Sequence, residues 1–221
     1  MLLSDRVLFL DGEAIVVDKP AGLPVDTPRD GALALENHLD SLKFGFRRWP
    51  TAVHRLDRDT SGCLLLARNP KAHARFQQAF EQGLVEKTYL AIVEGVLDAH
   101  EGVIDLALTK TSTVENGWRM VADVDGKRAV THWRTLSTIG ARTMIEFKPE
   151  TGRTHQIRVH AATGLGLPIV GDPVYGLGNS KNGAATLLHA SALRLVREGK
   201  QPVEALAPLP DSFAAAGFGD G

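Results

Sequence analysis

The chain has a single cysteine, Cys63, so an internal disulfide is excluded. Its start, Met1-Leu2-Leu3-Ser4-Asp5-Arg6, lacks the basic region and long apolar core of a secretion signal, which sets the expectation of a reducing cytoplasm. Long hydrophobic runs are missing too: stretches such as residues 62–67 fall far below the roughly 20 residues that a membrane span needs. Neither an HExxH sequence nor a paired-cysteine pattern occurs, and His155 and His160 are spaced poorly for one helix face, so no metal is expected. No charge sign dominates, since 25 Lys and Arg against 26 Asp and Glu leave a net −1.

What remains is the composition of an ordinary globular protein, 43% hydrophobic and 23% charged, with no repetitive or long polar tract. A length of 221 residues fits one large domain over residues 1–221, with a core over about 7–213 and a tail that frays after Phe213.

Strands and helices are interspersed. Ala14-Ile15-Val16-Val17-Asp18-Lys19-Pro20 reads as a strand entering a rigid turn, and Leu35, Leu39 and Leu42 recur at helical spacing. Residues 63–67 form an apolar strand, followed by a helix that Asn69 caps, Pro70 opens, Ala72, Phe76, Ala79 and Phe80 stripe, and Gly83 ends. Residues 87–95 alternate as a strand that points Tyr89 to one face. Short strands follow over 102–138, with a tight turn at Asp125-Gly126, then a strand over 143–147 and a helical segment over 153–163. Residues 175–183 are glycine-rich and read as a surface loop. Without regular βαβ alternation, this order favours an α+β fold: a mixed, largely antiparallel sheet flanked by helices and loops.

Two polar clusters stand out. His54-Arg55-Leu56-Asp57-Arg58-Asp59-Thr60-Ser61-Gly62 crowds charge between apolar elements, and Gly152-Arg153-Thr154-His155-Gln156-Ile157-Arg158-Val159-His160 lies far downstream. Each has a plain reading as a solvated turn or surface segment, with Asp59 and Thr60 capping local backbone. If the second segment faces the first, Arg158 can pair with Asp57, holding that carboxylate ionised and directed as suits a nucleophile or base. His54, His155 and His189 read as satisfied hydrogen-bonding histidines.

The first cluster resembles the catalytic signature of the RluA family of pseudouridine synthases: histidine, arginine, leucine, aspartate, two variable residues, then threonine-serine-glycine. Other stretches fit in order. Asp18-Lys19-Pro20-Ala21-Gly22 is similar to the family's first motif, and Lys87-Thr88-Tyr89-Leu90-Ala91-Ile92-Val93-Glu94-Gly95 to its tyrosine strand. The second cluster, continuing through Pro168-Ile169-Val170-Gly171-Asp172-Pro173-Val174-Tyr175-Gly176, resembles the third catalytic motif, and Leu188-His189-Ala190 an element near the domain's end.

The resemblance implies a pseudouridine synthase fold with a central catalytic cleft. It makes Asp57 the catalytic aspartate, Tyr89 the ring that stacks on the target uracil, Arg158 the partner of Asp57 and Ile157 the apolar floor beside the base. Arg55 would fill the gap left when the nucleotide flips out or touch a phosphate, with His54, Leu56 and Arg153 beside the substrate. The implied activity isomerises uridine in stem-loops of tRNA or 23S-type rRNA, with no cofactor and no membrane, by a monomer. Many relatives carry a small RNA-binding domain ahead of the first motif, which begins here by residue 14, so a short RluA or TruC-like form is expected. Val25-Asp26-Thr27-Pro28 and Arg197-Glu198-Gly199 depart from the family pattern at the edges. With a net charge of −1, attraction to RNA must come from a local basic surface. Two rivals remain: a non-catalytic RNA-binding or RNA-chaperone protein of the same fold, and a hydrolase that uses Asp57 and His155 to release free uracil.

Overall fold

The computed structural model describes residues 2–28, 31–114, 117–177 and 185–219. Its backbone forms two compact units, one of residues 1–87 and 189–208 and one of 88–188 and 209–221. Both are sheet-based, with few helices and mostly antiparallel pairing, so the fold is α+β as the interspersed elements imply.

In the first unit, β1 (Val7–Leu10) pairs antiparallel with β2 (Ala14–Lys19), and β2 with β4 (Ser61–Ala67). All six residues of β2 and all seven of β4 are buried, as suits strands covered on both faces, and this is why residues 14–17 and 63–67 read as apolar runs. The short β3 (Thr51–Ala52) also pairs with β4. On its other side, β4 runs parallel to β11 (Leu188–Arg197), which pairs antiparallel with β12 (Lys200–Leu206). Helix α1 (Pro70–Glu81) lays Ala72, Phe76 and Ala79 on the core of this sheet. Its Asn69 cap accepts from Ala72 N–H, a contact worth about 1 kcal/mol.

The chain enters the second unit along β5 (Val85–Glu94). There β5 pairs antiparallel with β10 (Arg142–Pro149), β10 with β9 (Val130–Ile139), and β9 with β6 (Glu101–Asp105). A separate hairpin joins β7 (Leu108–Thr113) to β8 (Gly117–Ala122). The helical segment expected over 153–163 starts later, as α2 (Gln156–Val159), and relaxes into a wider turn over His160–Gly164. His155, just ahead of it, takes a left-handed φ of 53°, which no helix continues through.

Among the described residues the tail does not fray directly after Phe213. Helix α3 (Asp211–Ala215) buries Phe213, and Phe218 beyond it is 2% exposed, packed with Ile92 and Leu187. Of the glycine-rich stretch expected to be a surface loop, residues 178–183 lie outside the described residues.

Candidate active site

Asp57 sits on the loop between β3 and β4, half-buried, and the loop is tied down by backbone rather than by apolar packing alone. Asp57 O accepts from Thr60 N–H at 3.1 Å, closing a turn. The next carbonyl, Arg58 O, accepts from Gly22 N–H at 2.9 Å and from Lys19 Nζ at 3.0 Å. Lys19 is fully buried and spends its remaining donors on Pro20 O at 2.9 Å and Leu23 O at 2.8 Å. Burial pulls its ammonium down to about 8, against the opposing pull of the negative charges of Asp59, Asp57 and Asp18. One buried cation thus fastens the turn after β2 to the loop that carries Asp57.

The end of the loop is fixed by close strand approach. Gly62 has a φ of +104° and lies in register with Ala190, so that a Cβ would stand 2.2 Å from Ala190 O. Only glycine fits there. Beside it, Ser61 Oγ bonds His189 Nδ1 at 2.8 Å. Since Ala207 O, 3.4 Å from Nε2, can only accept, Nε2 carries the proton and Nδ1 accepts from the serine.

His54 accepts Leu65 N–H on Nε2 at 3.0 Å and stacks on Phe80 with centroids 4.6 Å apart. Burial, with the charge of Lys87 second, holds its pKa down to about 3, so the ring is neutral. Leu56 is buried, 6% exposed. Arg55 is exposed and pairs with Asp26 at 2.6 Å, so one departure from the family pattern supplies this arginine with a counter-ion.

Tyr89, Arg153, Ile157 and Arg158 belong to the second unit. Tyr89 lies opposite Phe147 in the β5–β10 register and, half-buried, joins the apolar cluster that holds Ile157, Ala91 and Ile145. Arg158 donates Nε to Asp172 Oδ2 at 2.7 Å and Nη2 to Oδ1 at 2.8 Å. Its guanidinium also stands 5.2 Å from the Tyr175 ring centre. Asp172 Oδ1 further accepts the Val174 and Tyr175 N–H groups at 2.8 and 3.0 Å. Burial alone would raise this carboxyl, but Arg158 and those two N–H groups hold it below the ordinary carboxylate range. Nothing in the motif around Asp172 marks it as the partner of Arg158, fourteen residues earlier.

Gln156 anchors the same segment. Its carbonyl accepts from Thr151 Oγ1 at 2.7 Å and Arg153 N–H at 3.0 Å, and its amide donates to Val130 O at 3.0 Å and Thr131 Oγ1 at 2.9 Å. With all four bonds made, Gln156 sets where α2 begins. Tyr175 Oη bonds both His155 Nδ1 at 2.9 Å and Met120 N–H at 3.0 Å. The Arg153 side chain lies at the surface, with Nε on Arg128 O at 3.0 Å.

The mixed, mostly antiparallel sheet agrees with what comparison with known proteins finds. The profile of RNA pseudouridylate synthase matches residues 13–163, and the chain belongs to that family, the RluA family of RNA pseudouridine synthases, which are isomerases acting on RNA. It is 61% identical over 217 residues to an uncharacterised RNA pseudouridine synthase of Zymomonas mobilis, covering 98% of this chain and 99% of that one. It is 38% identical over 226 residues to ribosomal large subunit pseudouridine synthase D of Nitrosomonas europaea, covering 95% of this chain and 63% of that longer relative. Among solved structures, human RNA pseudouridylate synthase domain containing 4 superposes with a TM-score of 0.79 at 27% identity, over 96% of this chain and 91% of that one. The chain therefore has the pseudouridine synthase fold.

Proposed function

We propose that the chain isomerises specific uridines in stem-loops of tRNA or large-subunit rRNA, with Asp57 as the catalytic carboxylate. The observation that carries this reading is the loop: Lys19 and Gly22 clamp the backbone directly beside Asp57 while its side chain stays half-buried. A reacting group must be held this way to avoid losing rate to misplacement. The large-subunit assignment of the synthase D relatives supports rRNA as one substrate class.

In this reaction the ribose C1′–N1 bond breaks, the base turns, and C1′ joins C5. The hydrogen on C5 is lost and N1 gains one, so the sum of atoms is unchanged and no cofactor is called for. Asp57 serves as nucleophile at C1′ or as base at C2′. Tyr89 stacks on the uracil, returning roughly 1–3 kcal/mol of the cost of extruding it. Leu56 and Ile157 keep water from C1′, where it would hydrolyse the bond. Arg158 presents a cation whose direction Asp172 sets. Arg55 takes the vacated place in the stack or a phosphate, after exchanging its contact with Asp26. His54 acts by holding the loop on Leu65 and Phe80. Arg153 meets the RNA from the surface, and the protein works as a monomer in the cytoplasm.

Chemical mapping of pseudouridine in cellular RNA, with and without the gene, tests the proposal. Loss of signal at one or a few stem-loop uridines is expected; identical maps would refute it.

A further inference from the structure

The run Lys43-Phe44-Gly45-Phe46-Arg47-Arg48-Trp49, just ahead of β3, has no part in the loop that carries Asp57. Seven residues hold three cations, three aromatics and no acid. The aromatics face solvent: Phe44 is 41%, Phe46 38% and Trp49 55% exposed. Arg47 and Arg48 are exposed as well, and among the described residues no carboxylate pairs with either. Several other surface arginines, Arg134, Arg142 and Arg194 among them, hold a glutamate, whereas Arg58 and Arg153 donate to backbone carbonyls.

This surface is built, not frayed. Buried Arg68 donates Nη2 to Lys43 O at 3.1 Å and Phe44 O at 3.0 Å, and its guanidinium stands 3.8 Å from the centre of the Phe46 ring. Asp40 pairs with Lys43 at 2.6 Å and accepts from Trp49 Nε1 at 3.3 Å, which sets the indole beside the lysine. Exposed aromatics interleaved with arginines that lack a counter-ion suit a polyanion that also offers flat faces. In a chain of net charge −1 such a local patch is the kind of surface RNA requires.

The β-sheet register gives its place. Thr51, two residues past the run, lies opposite Ala67, whereas the Asp57 loop joins β4 at its other end, at Ser61. Six residues of strand span roughly 20 Å. We infer that residues 43–49 form a second RNA-contact surface, in which Arg47 and Arg48 take backbone phosphates and Trp49 stacks on an unpaired base. Its attachment point opposite Ala67 lies the length of that strand from the one at Ser61, so a duplex must extend several base pairs beyond the Asp57 loop to reach it. The inference rests on the RNA reading above and adds a docking point remote from the chemistry.

The test compares wild type with Arg47→Glu/Arg48→Glu, and with Arg47→Gln/Arg48→Gln as the milder change. The probes are transcribed stem-loops carrying the mapped uridine, one with about ten base pairs and one cut to about three. On the long RNA, KM for pseudouridine formation and the dissociation constant should rise about tenfold or more with kcat unchanged. The log–log salt slope of binding should fall by about two. On the short RNA the proteins should match. Equal affinity and slope of wild type and both variants on the long RNA would overturn the inference, as would equal losses on both RNAs. Wild-type turnover reports separately on the catalytic reading, and the affinity comparison decides this one whatever that result. If an unrelated protein surface were the true occupant, RNA affinity would not move.

Discussion

Arg158 meets both carboxylate oxygens of Asp172, at 2.7 and 2.8 Å, with the carboxylate fully buried and two backbone N–H groups on it besides. A guanidinium held by a fork of two parallel bonds has its plane and direction set. Asp172 therefore sets the arginine's direction, and the arginine in turn keeps Asp172 ionised.

Asp172→Asn should lower kcat while leaving RNA affinity nearly intact, because the cation stays but its aim is lost. Removing one partner of a buried pair should cost about 3–5 kcal/mol of stability. The sign with pH follows from the carboxyl lying below its usual range when folded: its contribution is present above the unfolded value, 3.8, and is lost as pH falls through the folded one. Chemical denaturation of both proteins across the acid range should show their difference shrinking below about pH 4. A constant difference would contradict this.

Lys19→Met tests the clamp. The variant should fold less stably at neutral pH and lose turnover, since three carbonyls lose their donor. Burial depresses the folded pKa of Lys19 from 10.5 to about 8, so the cost of the buried charge is fully present below 8. Between that value and 10.5 the unfolded chain binds more protons, and the wild type gains stability as pH rises, up to roughly 3 kcal/mol. Lys19→Met should lack that gain. Parallel pH–stability curves for the two proteins would remove Lys19 from the account.

Much of this was legible in the sequence where local chemistry decides. Asn69, Pro70 and the Ala72–Phe76–Ala79 stripe define α1, and the apolar runs define β2 and β4. What escaped reading depends on distant partners. Nothing local says that Lys19 reaches Arg58 O, that Ser61 meets His189, or that Asp172 takes Arg158. The delayed start of α2 escaped for the same reason, since Gln156 draws its partners from β9. Phe218 looked like part of a loose tail, because burial by Ile92 and Leu187 cannot be seen from its neighbours in sequence.

Tyr89 stands half-buried opposite Phe147, where its ring joins the second unit's core, and the proposed stacking gives it a second task. Tyr89→Phe should keep fold and affinity, whereas Tyr89→Leu should weaken turnover by about tenfold or more through lost stacking. Melting temperature beside single-turnover rates separates the two roles. Equal effects of the two substitutions would argue against stacking.

Asp57→Asn keeps the size of the side chain and removes its charge, within a loop whose backbone is tied by Lys19, Gly22 and Thr60. Pseudouridine formation by this variant, assayed next to its RNA affinity, should vanish while binding changes little. Turnover retained at the wild-type rate would show that the carboxylate at position 57 is not the group that does the chemistry.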